Sequence, residues 1–314
     1  MRRAVVATPA RAASMSRPVT GEDSTVATRS GYTPGMDAAV ELALHADAAL
    51  AEGPRWDART ERLLWVDING CALHELDPAT GEDRATSLPA KVGAAAPTAD
   101  PGRVLVALAD RLAIVDTATG ELEPLAPLPH ARPGMRANDG AVDPAGRFWI
   151  GTMAEDEAPG LGALYRYDGT LTTVLEPVSL SNGLDWSADA QRMYYVDSPT
   201  LRVDVLDFDL ATGSVENRRP FVTIEEGAGL PDGLVLDDEG GLWLALYGGG
   251  EVRRYGPGGE LDARLAVPAD NVTACWFAGR RLFITSARSP QPLGGSLFVA
   301  EPGVSGPAAR AFAQ

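Results

Sequence analysis

Runs of alternating apolar and polar residues follow one another along most of the chain, broken by short turns rich in Asp and Gly. Ala38-Ala-Val-Glu-Leu-Ala-Leu-His-Ala-Asp47, Arg62-Leu-Leu-Trp-Val-Asp67, Arg103-Val-Leu-Val-Ala-Leu108 and Arg281-Leu-Phe-Ile-Thr285 are examples. A period of two puts successive side chains on opposite faces of a strand, whereas a helix repeats every three to four residues. No stretch of 11 or more residues keeps the helical period. Turns such as Asp77-Pro-Ala-Thr-Gly81 and Thr117-Ala-Thr-Gly120 supply Gly where a hairpin needs it. The pattern predicts an all-β protein.

A longer period lies over the short one. Glu52-Gly53-Pro54, Asn138-Asp139-Gly140, Asn182-Gly183-Leu184 and Asp232-Gly233-Leu234 each precede the same succession of apolar alternation, turn and second strand with an aromatic residue. They recur at one or two steps of roughly 40–50 residues, the length of a propeller blade. Six units fit, over residues 52–90, 91–130, 135–177, 180–224, 230–267 and 270–303. The strand beginning at Ala38 precedes the first unit; paired with the last, it would close the ring and remove exposed sheet edges. Trp65, Trp149, Trp186 and Trp243 recur at corresponding positions and are expected in the core between blades. The expectation is one six-bladed β-propeller over residues 36–314.

Residues 1–35, rich in Ala, Arg, Ser, Thr and Gly, carry no such pattern. They read as a disordered tail or a mis-assigned start with Met36 as the initiator; a targeting peptide is the other reading, although Ala4-Val-Val-Ala7 is short for its apolar segment. The 27 Lys and Arg against 43 Asp and Glu give a formal net charge of −16. So acidic a chain disfavours nucleic acid and anionic lipid, and no apolar run approaches the ~20 residues of a spanning helix. Neither nucleic acid nor membrane is expected as a partner, and the protein is expected as a monomer or weak dimer. Cys71 and Cys275 stand in apolar strand-like contexts and read as buried free thiols, which suit a reducing, cytoplasmic compartment. His45, His74 and His130 are scattered and have no cysteine companions, so a zinc centre of His/Cys type is not expected.

An Asn-Gly or Asp-Gly pair is ordinarily only a turn. Here such pairs stand at blade heads, ahead of an inner strand, where radial symmetry gathers them about one axis. Glu52, Asn182 and Asp232 would then offer oxygen atoms to one point, as a hard divalent cation requires. Two carboxylates and one amide leave coordination positions open for water and substrate, which is what metal-assisted catalysis uses. Arg136 beside a cation makes sense as a partner for substrate oxygens or for a ligating carboxylate. Asp139 is expected to order the Asn138 loop, and Glu155, Asp156 and Glu157 read first as a solvated acidic loop.

The stretch Arg136-Ala-Asn-Asp-Gly-Ala-Val-Asp-Pro-Ala-Gly-Arg-Phe-Trp-Ile-Gly-Thr-Met-Ala154 closely resembles the core motif of the regucalcin/gluconolactonase family, which includes the luciferin-regenerating enzyme. Ser181-Asn-Gly-Leu-Asp-Trp-Ser187, Tyr194-Tyr-Val-Asp-Ser198, Asn217-Arg-Arg219 and Pro231-Asp-Gly-Leu234 resemble it in the same order and spacing. The resemblance implies a six-bladed propeller with one catalytic divalent metal (Ca²⁺, Mg²⁺, Mn²⁺ or Zn²⁺, with Ca²⁺ favoured) on Glu52, Asn182 and Asp232. It implies that Arg136 and Asn138 bind substrate and stand off the ligand set. A Glu that contacts substrate in some members aligns with Asp156, which is one methylene shorter, so the family's sugar preferences do not transfer directly.

The expected activity is metal-dependent hydrolysis of a sugar lactone or a similar small cyclic ester, with Asp232 as general base and the lactone as small-molecule partner. No Gly-x-Ser-x-Gly elbow is present and the histidines fall in no triad context. Phosphotriester hydrolysis by the same residues and a non-enzymatic calcium-binding propeller are the alternatives.

Overall fold

The computed structural model describes residues 38–313. The expectations for residues 1–35, and for Met36 as a start, fall outside the described residues. Strand β1 (Glu41–Leu44) comes first. Blade 1 comprises β2 (Ala51–Asp57), β3 (Arg62–Asp67), β4 (Ala72–Leu76) and β5 (Asp83–Ser87). Blade 2 comprises β6 (Val92–Pro97), β7 (Arg103–Leu108), β8 (Arg111–Asp116) and β9 (Leu122–Pro127). In blade 3 are β10 (Met135–Val142), β11 (Phe148–Ala154), β12 (Gly162–Tyr167) and β13 (Leu171–Val178). Blade 4 has β14 (Ser181–Trp186), β15 (Arg192–Asp197), β16 (Arg202–Phe208) and β17 (Val215–Thr223). Blade 5 has β18 (Leu230–Leu236), β19 (Leu242–Tyr247), β20 (Glu251–Tyr255) and β21 (Leu261–Ala266). The sixth sheet contains β22 (Val272–Ala278), β23 (Arg281–Ser286) and β24 (Leu297–Ala300), with β1 as its fourth strand.

Every sheet is antiparallel, the first five are meanders of consecutive strands, and the first strands of neighbouring blades pack on one another around the axis. The architecture is the six-bladed propeller that the 40–50-residue period predicts. Strand β1 lies antiparallel on β24, with Glu41 opposite Val299 and Leu42 opposite Phe298. A single 3-10 turn, Ser198–Thr200, is the only helical element among the described residues.

The second strands bury both faces because a neighbouring blade covers each. Trp149 and Trp243 occupy matching places on β11 and β19, opposite Ala141 and Val235, whereas Leu64 takes that place on β3 and Trp65 lies one residue further along, on the other face; all three indoles are fully buried. Burial of an indole leaves its N–H in need of an acceptor. Asp143 meets that need for Trp149 at 2.9 Å while its other oxygen accepts the Ala145 and Arg147 N–H groups of the β10–β11 turn. Asp237 repeats the device for Trp243 and for the Glu239 and Gly241 N–H groups. One acidic residue thus fixes a turn and a core side chain together. Trp186 departs from the expected equivalence, since it sits on the first strand of its blade, where it meets Trp149 edge-on at 5.5 Å between centroids. Of the two unpaired cysteines, Cys275 is buried as expected and Cys71 only half-buried, at a turn with φ of 54°.

Beyond β24 the chain crosses the far ends of several first strands. Ala309 N–H donates to the Trp56 carbonyl, Phe312 N–H to that of Pro97 and Ala313 N–H to that of Gly146. Arg310 pairs with buried Asp185 at 2.9 Å.

Candidate active site

The four polar signatures fall on the first strands β2, β10, β14 and β18, near their starts. Each strand slips register there, between Glu52 and Arg55, Ala137 and Gly140, Ser181 and Leu184, and Pro231 and Leu234. A β-bulge inserts a residue and re-aims the side chains around it. The signatures are therefore bulges that turn side chains toward the axis, and not hairpin turns. Glycine follows Asn182 and Asp232 because the first strands come very close. A Cβ on Gly183 would stand 2.5 Å from the Leu234 nitrogen, and one on Gly233 would stand 2.4 Å from the Ala274 Cβ.

Glu52, Arg136, Asn138, Asn182 and Asp232 line one cavity of about 160 Å³, together with Ser198, Glu157 and Tyr247 and the apolar Leu50, Met153, Leu180 and Leu230. The first five come from four blades and are 4–8% exposed. Two further carboxylates hold the approach to the heads in place. Asp67, at the end of β3, accepts the Ala49 and Leu50 N–H groups at 3.0 Å, and Asp197, at the end of β15, accepts that of Leu180 at 2.9 Å. Each clamp lies two residues ahead of Glu52 or Asn182.

Burial and mutual repulsion oppose ionisation of the carboxyls at this site. Burial first, and then the Asp139 charge, pushes the Glu52 carboxyl up to about 8. Burial, Glu52 and Asp139 raise Asp232 well above the usual carboxylate range. Asp232 Oδ1 is buried and has no hydrogen-bond partner among the described residues. Among the described residues no cluster of three His, Cys, Asp or Glu side chains is placed to hold a metal. The set at the axis has instead two carboxylates and an amide, all hard oxygen donors, with one orphaned oxygen. That chemistry fits a divalent cation completed by water.

Arg136 and Asn138 are both in the cavity wall, and the structure links Asn138 directly to Asn182. Asn138 Nδ2 donates to Asn182 Oδ1 at 2.6 Å and to the Ser181 carbonyl at 2.8 Å, while its Oδ1 accepts from Arg136 at 2.6 Å. Both amide hydrogens are spent within the protein, so Asn138 offers substrate no free donor in this arrangement. Asp139 lies behind the wall, accepting the Gly140 N–H at 2.7 Å and pairing with buried Arg55 at 3.3 Å. Arg55 reaches the Pro54 and Gly140 carbonyls and stacks over Trp276 at 4.4 Å, tying blades 1, 3 and 6 together.

The acidic loop divides differently from its alignment. Asp156 is exposed, is absent from the cavity lining and pairs with Arg132. Its neighbour Glu157, at φ of 56°, lines the cavity. Glu155 pairs with Lys91 at 2.6 Å. Asn217-Arg-Arg219 lies on outer strand β17, where these side chains pair with Asp204 and Asp207 and take no part in the cavity.

Fold and cavity together define a six-bladed propeller with a buried, oxygen-rich site on its axis. A model of the SMP-30/gluconolactonase/LRE-like region matches residues 50–288, and the chain belongs to that family. It is 34% identical to regucalcin of Xenopus laevis over 87% of this chain and 98% of that protein. A Bacillus subtilis (strain 168) protein provisionally named sugar lactone lactonase YvrE is 35% identical over 85% of this chain and 95% of its own length. The crystal structure of a calcium-binding protein, regucalcin from Agrobacterium tumefaciens, superposes with a TM-score of 0.84 at 33% identity, covering 88% of this chain and 97% of that one.

Proposed function

We propose that this chain is a divalent-metal-dependent lactonase, opening a sugar lactone or a similar small cyclic ester. The carrying observation is the convergence of Glu52, Asn182 and Asp232 with Arg136 in one buried cavity, with Asp232 Oδ1 left unpartnered. The provisional lactonase name of the Bacillus relative and the family's own description support the reading. Glu52, Asn182 and Asp232 would hold the ion, with Ca²⁺ favoured by the likeness to the calcium-binding regucalcin of Agrobacterium. When bound, the ion supplies Lewis-acid polarisation of the lactone carbonyl and charge stabilisation as the carbonyl opens.

The chain's own residues do the rest. Asp232 accepts the proton of the attacking water, whose oxygen bonds to the carbonyl carbon. The ring C–O bond then breaks, and the departing alkoxide takes that proton to give a hydroxy acid. Arg136, whose guanidinium carries five donors, stabilises developing negative charge and orients the substrate. Leu50, Met153, Leu180 and Leu230 restrict water around the ring.

Base uptake in a pH-stat against a panel of aldonolactones, with and without chelator and with each divalent ion restored, tests this reading. Chelator-sensitive turnover of at least one lactone is the expected result. Tight ion binding with no turnover of any lactone or phosphotriester would leave a calcium-binding propeller. Turnover of phosphotriesters alone would move the activity to that class.

A further inference from the structure

Ser198, the last residue of the Tyr194-Tyr-Val-Asp-Ser198 motif, has no part in strand pairing and is 1% exposed in the cavity wall. It stands in a chain of four short hydrogen bonds. Arg136 Nη1 donates to Asn138 Oδ1 at 2.6 Å, and Asn138 Nδ2 donates to Asn182 Oδ1 at 2.6 Å. Asn182 Nδ2 donates to Ser198 Oγ at 2.7 Å, and Ser198 Oγ donates to the Pro231 carbonyl at 2.7 Å. The two ends fix the direction of everything between them. A guanidinium has only donors and a carbonyl oxygen only accepts, so neither amide can reverse without setting donor against donor or acceptor against acceptor.

The orientation matters because an amide is nearly symmetrical in shape and opposite in chemistry at its two ends. Turned over, Asn182 would present an NH₂ group to a cation, which is no ligand. Among the described residues the Ser198 hydroxyl is the sole acceptor holding Asn182 Nδ2. Its own proton is committed to Pro231, the residue immediately before Asp232.

We propose that Ser198 is a positioning residue of the metal centre. It holds the Asn182 amide with the oxygen available to the ion, and it ties that orientation to the backbone at Asp232. The inference rests on the metal reading of Glu52, Asn182 and Asp232, and it concerns a residue outside that ligand set.

Calorimetric titration of Ca²⁺ and Mn²⁺ into the metal-stripped full chain tests it, with no substrate present. Ser198→Ala is expected to weaken binding tenfold or more, and Ser198→Thr, which keeps the hydroxyl, to stay within threefold of wild type. The same Ser198→Ala change in an Asn182→Asp background is expected to cost less than threefold, because a carboxylate has two equivalent oxygens and no orientation to lose. A loss of similar size in both backgrounds would show a general packing effect and overturn the proposal. So would a Ser198→Ala chain that binds the ion as wild type does. If Ser198→Ala does not fold, Ser198→Cys carries the test, since it fills the space with a poor acceptor and should also lose tenfold or more. Wild-type protein that binds neither ion would instead remove the metal reading itself, and this proposal with it.

Discussion

At the residue scale the consequential side chain is Asp232. Asp232→Ala removes a proposed ligand and the proposed base, so lactone turnover is expected to fall by at least about 10²–10⁴-fold, with the far-ultraviolet spectrum unchanged. Retention of a tenth of the activity would exclude the role. The acidic loop gives a paired prediction. Glu157→Gln removes a charge facing the cavity and is expected to change kcat/KM by roughly 5–150-fold on the scale of one hydrogen bond, whereas Asp156→Asn stays within about twofold. The sequence could not make that distinction. Three consecutive acids look alike, and the choice among them is made by the left-handed backbone at Glu157 and by an Arg132–Asp156 pair 24 residues apart.

Glu52 gives the site a pH signature. In the metal-free fold its carboxyl is pushed up to about 8, from 4.5. The folded chain keeps a proton that the unfolded chain has lost between those values, so this group's stabilisation is full below about pH 4.5 and disappears as pH rises to about 8. Thermal melting in chelator should therefore show Tm falling across that range, by ~5 °C or more, and a saturating divalent ion should flatten the slope. A Tm in chelator that rises with pH would contradict the buried, repelling pair of carboxyls.

At the scale of elements the site depends on bulges at strand heads. The gathering of the signatures was legible because they recur at blade period, and Glu52, Asn182 and Asp232 share one cavity; that they are bulges within the first strands, and not heads ahead of an inner strand, was not. Their cause was not legible. The glycines look like turn residues, yet Gly183 and Gly233 are required by close backbone approach between blades. Gly183→Ala is expected to lower stability by about 1–3 kcal/mol and to weaken metal binding with it, read by denaturant unfolding and calorimetry. The position of Asn138 also differs from expectation. The family resemblance put it off the ligand set, but its amide touches Asn182 through a contact spanning 44 residues that no local pattern reveals. Asn138→Ala should accordingly alter metal affinity as well as kcat/KM.

At the scale of the whole molecule, six sheets were readable because four blades repeat one sentence of alternation, turn and aromatic strand at a period that leaves room for two more. The crossing of residues beyond β24 over blades 1–3 was not, since Ala309, Phe312 and Ala313 engage through backbone groups that any sequence supplies. Strand β1 makes the whole-molecule prediction. A chain lacking residues 1–35 is expected to turn over substrate within about twofold of the full chain, whereas one lacking residues 1–44 leaves β24 as an open edge and should aggregate on size-exclusion chromatography. Equal behaviour of the two would deny β1 that role.

The pairing of β1 with β24 also sets a timetable. Thr273 Oγ1 already reaches back 222 residues to the Ala51 carbonyl, and the sixth sheet draws its strands from both extremities of the described chain. A ribosome delivers β1 ahead of the five blades and β24 after them, so those blades emerge while the strand destined for the sixth waits without a mate. That sheet is complete only once β24 has emerged, and until then β1 has no strand to pair with.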